Sequence, residues 1–137
     1  MSETSKIEYE GALRTKAVHL GSGRDLITDA PVDNNGKGEA FSPTDLVATA
    51  LGSCMLTVMG IKARSMGFDL EEATVSITKV MAAAPRRISE IKVHIRLKQN
   101  CDGPTRQVLE ETARHCPVAK SLHPDLQQNL TFEWVTD

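Results

Sequence analysis

The chain has 137 residues, a formal net charge of −2 and 25% charged side chains, which suits one domain and offers no charge excess for a polyanion or a membrane surface. Only five residues are aromatic (Tyr9, Phe41, Phe68, Phe132 and Trp134), so any core must be mostly aliphatic and alanine-rich. Three cysteines with no C-x-x-C pair argue against a secreted disulfide framework, and the polar start MSETSKIEYE reads as no signal peptide, so a cytoplasmic protein with reduced thiols is expected.

No repeat, low-complexity tract or linker divides the sequence, and a single domain covering residues 1–137 is expected. From Lys6 to Leu20 the pattern is loosely strand-like, with Ile7, Tyr9 and Leu13 on one parity. GSGRD, residues 21–25, reads as a tight hairpin turn into the strand LITD. The polar loop PVDNNGKGE follows, with Asn35-Gly36 as its turn.

The strongest helix signal comes next. Ser42 suits an N-cap, Pro43 the first helical position and Asp45 the capping acid. The helix should run to about Met66, with Lys62 and Arg64 near its C-terminal end and Gly67 as the stop. From Leu46 to Ile61 it carries no charge, a run short of the roughly 20 apolar residues a membrane span needs. A helix apolar on all sides must be enclosed by protein, and so short a chain can hardly do that alone. A homodimer is therefore expected.

ATVSITKVM and ISEIKVHIRLK look like two strands joined by AAAPRR. In the second, Ile91, Val93, Ile95 and Leu97 alternate with Lys92, His94, Arg96 and Lys98, the pattern of a half-buried antiparallel strand. CDGP opens a second helix, from about Pro104 to His115, which Pro117 interrupts. A short turn, PVAKSL, and a closing strand, NLTFEWV, complete an α+β order of elements.

The thiols stand in three different settings. Cys54 shares a helical stripe with Val47, Leu51, Val58 and Ile61, where it could simply pack or, given a cation from elsewhere, react. Cys116 precedes Pro117, which pushes it out of helical geometry and suits it to cap the next turn. There it would meet free backbone N–H groups, with Arg114, His115 and Lys120 nearby, as a candidate redox thiol. Cys101 lies in the polar turn QNCDGP and reads as an exposed loop thiol. No ligand spacing suggests a metal, and no phosphate-binding loop, Gly-x-Ser-x-Gly elbow or nucleic-acid patch is present.

Two stretches together resemble a known family. FSPTDLVATALGSCM is similar to a signature in which Pro, Leu and small residues lead to a helix cysteine, and RHCPVAKSL to a second, a Cys-Pro pair on the following helix. These are signatures of the OsmC/Ohr family of osmotically inducible and organic hydroperoxide resistance proteins, in its OsmC-like branch. The resemblance implies an intertwined homodimer, with antiparallel sheets wrapped around a long central helix. It also implies a thiol peroxidase without a cofactor or metal. Cys54 would attack an organic hydroperoxide and become a sulfenic acid. Cys116 would resolve it as a disulfide, reduced in turn by an external dithiol such as a lipoyl group. The hydroperoxide-resistance branch carries an arginine in a Gly-Arg-Asp setting in its first hairpin, which implies Arg24 as the activating cation, with Arg14 in reserve.

One position departs from the pattern. The family's glutamate after the helix-opening proline is replaced by Thr44, and Asp45 stands nine residues before Cys54, two and a half turns away and on the other face. Glu39 is the acid that could orient Arg24 instead. Two other kinds of function fit the same residues: a dimeric scaffold that binds a small apolar ligand, and a thiol redox sensor.

Overall fold

A computed structural model describes residues 2–135. Its order is β1 (Ser5–Gly11), β2 (Arg14–His19), β3 (Asp25–Asp29), a 3-10 turn (Val32–Asn34), α1 (Pro43–Ser65), β4 (Thr74–Ala82), β5 (Arg87–Leu97), α2 (Gly103–Arg114), α3 (Pro117–Ser121) and β6 (Gln127–Trp134). This is the expected α+β class. By internal packing the chain forms two compact units, which divide within α1 after Val47.

The first unit is an antiparallel sheet in the order β1-β2-β3. The stretch read as one loose strand from Lys6 to Leu20 is a hairpin, turned at Ala12 and Leu13 in left-handed conformations (φ 53 and 62). Gly11 before them is also at positive φ (84), so the one turn signal in the sequence is that glycine, while the two central residues are not of a turn-favouring type. The second turn falls where GSGRD placed it: Gly23 takes φ 76 and its N–H donates to the His19 carbonyl at 2.8 Å. Asn35 is left-handed as well (φ 67), at the end of the 3-10 turn. Much of the apolar surface on this unit stays exposed, including Ile7 and Tyr9 at 66% and 67%.

At the entry to α1, Ser42 Oγ accepts from the Asp45 N–H at 3.1 Å, and Asp45 Oδ2 accepts from the Ser42 N–H at 3.0 Å. These reciprocal bonds satisfy donors that a helix start leaves open. At the far end Gly67, with φ 95, closes the helix, and the Phe68 N–H reaches back to the Ala63 carbonyl.

The second unit packs helices on a sheet of order β4-β5-β6. β4 and β5 run antiparallel, as their alternation predicts, whereas β6 joins β5 in parallel after the crossover through α2 and α3. Ile91, Val93, Ile95 and Leu97 of β5 are fully buried, with Leu51, Met55 and Met59 of α1 and Leu109 of α2. Each buried aliphatic side chain contributes about 1.5–3 kcal/mol relative to exposure, so this layer fixes where α1 and α2 lie on the sheet. Gly52 lets α1 approach β4, since a Cβ there would come within 2.8 Å of Ile77 Cδ1.

The helix is not buried on every side. By length and composition α1 could cross a bilayer, yet Leu51, Met55 and Met59 have no exposed surface and pack in the core. Its opposite face, Ala50, Ser53, Thr57 and Ile61, is exposed and uncharged. The buried stripe is Ala48, Leu51, Gly52, Met55, Met59 and Ala63, shifted from the expected one. Val47 and Ile61 are exposed, and Cys54 lies half-buried at the stripe's edge.

Candidate functional site

Cys54 projects from the middle of α1 and Cys116 stands at the break between α2 and α3. Pro117 produces that break: Cys116 is extended (φ −66, ψ 153), the conformation favoured before proline, and becomes the N-cap of α3. Its Sγ accepts from the Ala119 N–H at 3.3 Å. With Leu109 and Ala113 behind it, the thiol is 1% exposed. Cys54 lies beside Cys116, close enough to act on its thiol, and both are free. Two cysteines separated by more than sixty positions thus meet in one place.

The electrostatics of Cys116 differ from the sequence expectation. Burial pushes its thiol up from the ordinary cysteine range, and the neighbouring Cys54 adds to the rise. The Ala119 and Val118 N–H groups pull the other way and only partly offset it. One turn of helix supplies a few oriented donors, but removing a thiolate from water costs more. Two of the three cations expected to help, Arg114 and His115, are engaged elsewhere, and Lys120 is exposed. Arg114 stacks over Phe132 and pairs with Glu111 at 3.7 Å, and His115 Nδ1 bonds the Glu111 carbonyl at 2.8 Å.

Cys101 sits between β5 and α2, half-buried rather than exposed, and burial raises its pKa against the pull of Arg106. Asp102 beside it caps α2, accepting from the Thr105 N–H at 2.8 Å. No group of three or more His, Cys, Asp or Glu suited to a metal occurs among the described residues.

The arginines belong to the first unit. Arg24 is exposed in the β2–β3 turn, and its guanidinium makes no hydrogen bond or ion pair among the described residues. Arg14 is held firmly: its Nε and Nη2 each donate to Asp29 at 2.7 Å, and Nη2 also donates to Glu39 at 3.2 Å. Glu39 therefore orients Arg14 and not Arg24, contrary to the sequence expectation. Asp29 is 1% exposed and also accepts from the Glu39 N–H, and the Arg14 guanidinium holds its carboxyl below the usual carboxylate range. Of the five guanidinium N–H bonds of Arg14, three are committed in this way, and the two on Nη1 have no partner among the described residues.

Sequence reading passed over Asp29. The signal lay in the hairpin register, which sets Arg14 directly opposite Asp29 as an opposite-charge cross-strand pair. Thr44, in the place of the family's glutamate, lies 3.2 Å from Ser42 Oγ through its hydroxyl. Asp45 serves as the capping acid.

A family model described as OsmC-like protein matches residues 36–131, a span that includes both Cys54 and Cys116. The chain belongs to the OsmC-like family. A solved protein of Psychrobacter arcticus 273-4, described as an osmotic stress induced and detoxification response protein, is 56% identical over 97% of each chain, with a TM-score of 0.94. An OsmC organic hydroperoxide resistance protein of Legionella pneumophila is 16% identical over 96% of this chain and 97% of its own, with a TM-score of 0.76. One from Elizabethkingia anophelis, with thiocyanate bound, is 14% identical over 98% and 99%, also at 0.76. The last two likenesses concern the OsmC-like fold. No curated protein matches this chain.

Proposed function

We propose that this OsmC-like protein is a cytoplasmic thiol peroxidase that reduces organic hydroperoxides to alcohols in defence against oxidative stress. One observation carries the reading: two unbridged thiols are neighbours, one half-buried on a long helix and the other buried with its pKa raised. The asymmetry assigns the roles. The attacking group must be a thiolate that a peroxide can reach, which favours Cys54. Cys54 Sγ attacks the distal peroxide oxygen, the O–O bond breaks, and the alkoxide leaves as alcohol after taking a proton. Cys54 is thereby oxidised to a sulfenic acid. The resolving group needs only proximity: Cys116 Sγ attacks the sulfenic sulfur, water departs, and the Cys54–Cys116 disulfide forms. An external dithiol, a lipoyl group being one example, then restores both thiols.

The cation that favours the Cys54 thiolate is drawn from two candidates. Arg24 is the one the family resemblance indicates. Among the described residues Arg14 has what Arg24 lacks, carboxylates that fix the guanidinium plane while two N–H bonds stay uncommitted. A homodimer accompanies this reading, supported by the uncharged outer face of α1 and the exposed apolar side chains of the first sheet.

The test is to treat reduced protein with one equivalent of cumene hydroperoxide, digest it without reductant and map the disulfides by mass spectrometry. A stoichiometric Cys54–Cys116 bridge that is lost in Cys54→Ser is expected. Thiols that stay reduced in folded protein would reject the peroxidase and point to a packing or ligand-binding role. Slower bridging in Arg24→Ala or in Arg14→Ala would assign the cation, about tenfold or more for the residue that acts.

A further inference from the structure

We infer that a reducing thiol attacks the Cys54–Cys116 disulfide at Cys54 Sγ, making Cys116 the leaving thiol of the reduction. The inference rests on the peroxidase reading above for its biological setting, but on access and hydrogen bonding for its direction.

Thiol–disulfide exchange displaces one sulfur from another, so the incoming sulfur must reach the atom it attacks. Cys116 is 1% exposed, with Leu109, Ala113 and Ala119 in the same buried cluster and its Sγ bonded to the Ala119 N–H at 3.3 Å. Cys54 is half-buried. An incoming thiol therefore finds open surface at Cys54 and almost none at Cys116. The amides of Val118 and Ala119 that already face Cys116 Sγ are placed to receive negative charge as it departs.

The leaving sulfur brings an opposing effect. A thiol whose pKa is raised by burial is a poorer leaving group, and this slows the step. Access decides between the two sulfurs, because leaving-group acidity modulates an attack only where attack is sterically open. The same raised pKa has a useful consequence afterwards. Once Cys116 takes up a proton it is a weak nucleophile, so it returns slowly to the mixed disulfide on Cys54. A reductant carrying its own second thiol then completes the cycle. The first thiolate, RS⁻, forms a Cys54–S–S–R bond as the Cys54–Cys116 bond breaks and Cys116 is protonated. The second thiol of the reductant attacks its own sulfur in that bond, releases Cys54 and leaves as a cyclic disulfide. Two electrons pass from the dithiol to the protein.

The experiment uses the full chain with Cys101→Ser, so that two thiols remain. The disulfide is made with diamide, independently of any peroxide, then treated briefly with 2-mercaptoethanol, quenched in acid, alkylated with N-ethylmaleimide and mapped by mass spectrometry. The mercaptoethanol adduct is expected on Cys54 and the maleimide on Cys116, in about tenfold excess or more over the reverse arrangement. Adducts on Cys116, or an even division, would overturn the inference. Single-thiol variants give an independent reading: Ellman's reagent should label Cys54 in Cys116→Ser about tenfold or more faster than Cys116 in Cys54→Ser. Equal rates in folded protein would also sink it. If diamide forms the bridge and cumene hydroperoxide does not, the peroxidase reading fails, and the adduct map still decides which sulfur is attacked.

Discussion

Asp29 shows how much one buried carboxylate can organise. It receives two guanidinium N–H bonds from Arg14 and one backbone N–H from Glu39, and its own N–H donates to the Phe41 carbonyl. Its pKa is lowered by folding, with the Arg14 hydrogen bond as the first cause. The stability it contributes is therefore complete above the unfolded aspartate value, about 4, and is lost as pH falls through the lower folded value. Thermal melts from neutral to acid pH should show Asp29→Asn well below the parent protein at pH 7. The two curves should converge on the acid side. A gap that stays constant with pH would show that packing, not charge, makes Asp29 matter. For Cys116 the sign is reversed. A raised thiol pKa contributes stability below the unfolded cysteine value, near 8.5, and loses it as pH climbs through the folded one.

Among the elements, α1 carries both the site and the close packing that holds it. A Cβ on Gly52 would meet Val75 Cγ1 at 2.9 Å as well as Ile77, so either the helix moves off β4 or these side chains give way. Gly52→Val is expected to destabilise the fold by about 1–3 kcal/mol, measurable by urea denaturation. Since Gly52 precedes Cys54 by two residues on the same helix, the displacement should also slow Cys54–Cys116 bridging. An unchanged midpoint would mean that the β4 side chains rotate away at no cost.

For the whole molecule, the decisive quantity is the number of chains. The outer face of α1 has the composition of an interior with nothing over it: Ile61 is 65% exposed, in line with Ala50, Ser53 and Thr57. An exposed face without charge, with Ile61 at its end, is surface that a second copy of the chain could cover. Sedimentation at micromolar concentration should give a dimer for the native chain and a monomer for Ile61→Lys, with far-ultraviolet circular dichroism retained. A monomeric native protein would reject the dimer and leave this face for another partner.

Much of the architecture was legible because its determinants are local. Ser42, Pro43 and Asp45 specify a helix start, Gly67 specifies its end, and the alternation from Ile91 to Lys98 specifies a half-buried strand, because caps and side-chain periods act over a few residues. Cys116 as an N-cap followed from its proline for the same reason. The tertiary structure alone decided which face of an almost uncharged helix is buried, since periodicity carries no information when every face is apolar. It decided that Glu39 and Asp29 hold Arg14, because cross-strand partners depend on a register set by the turn at Ala12 and Leu13, and the single Gly11 before that turn does not fix which residues face each other. It also decided the acidity of Cys116, where sequence promised a helix end and folding added a core around the sulfur. Desolvation is a property of everything packed against an atom, and no stretch of sequence contains it.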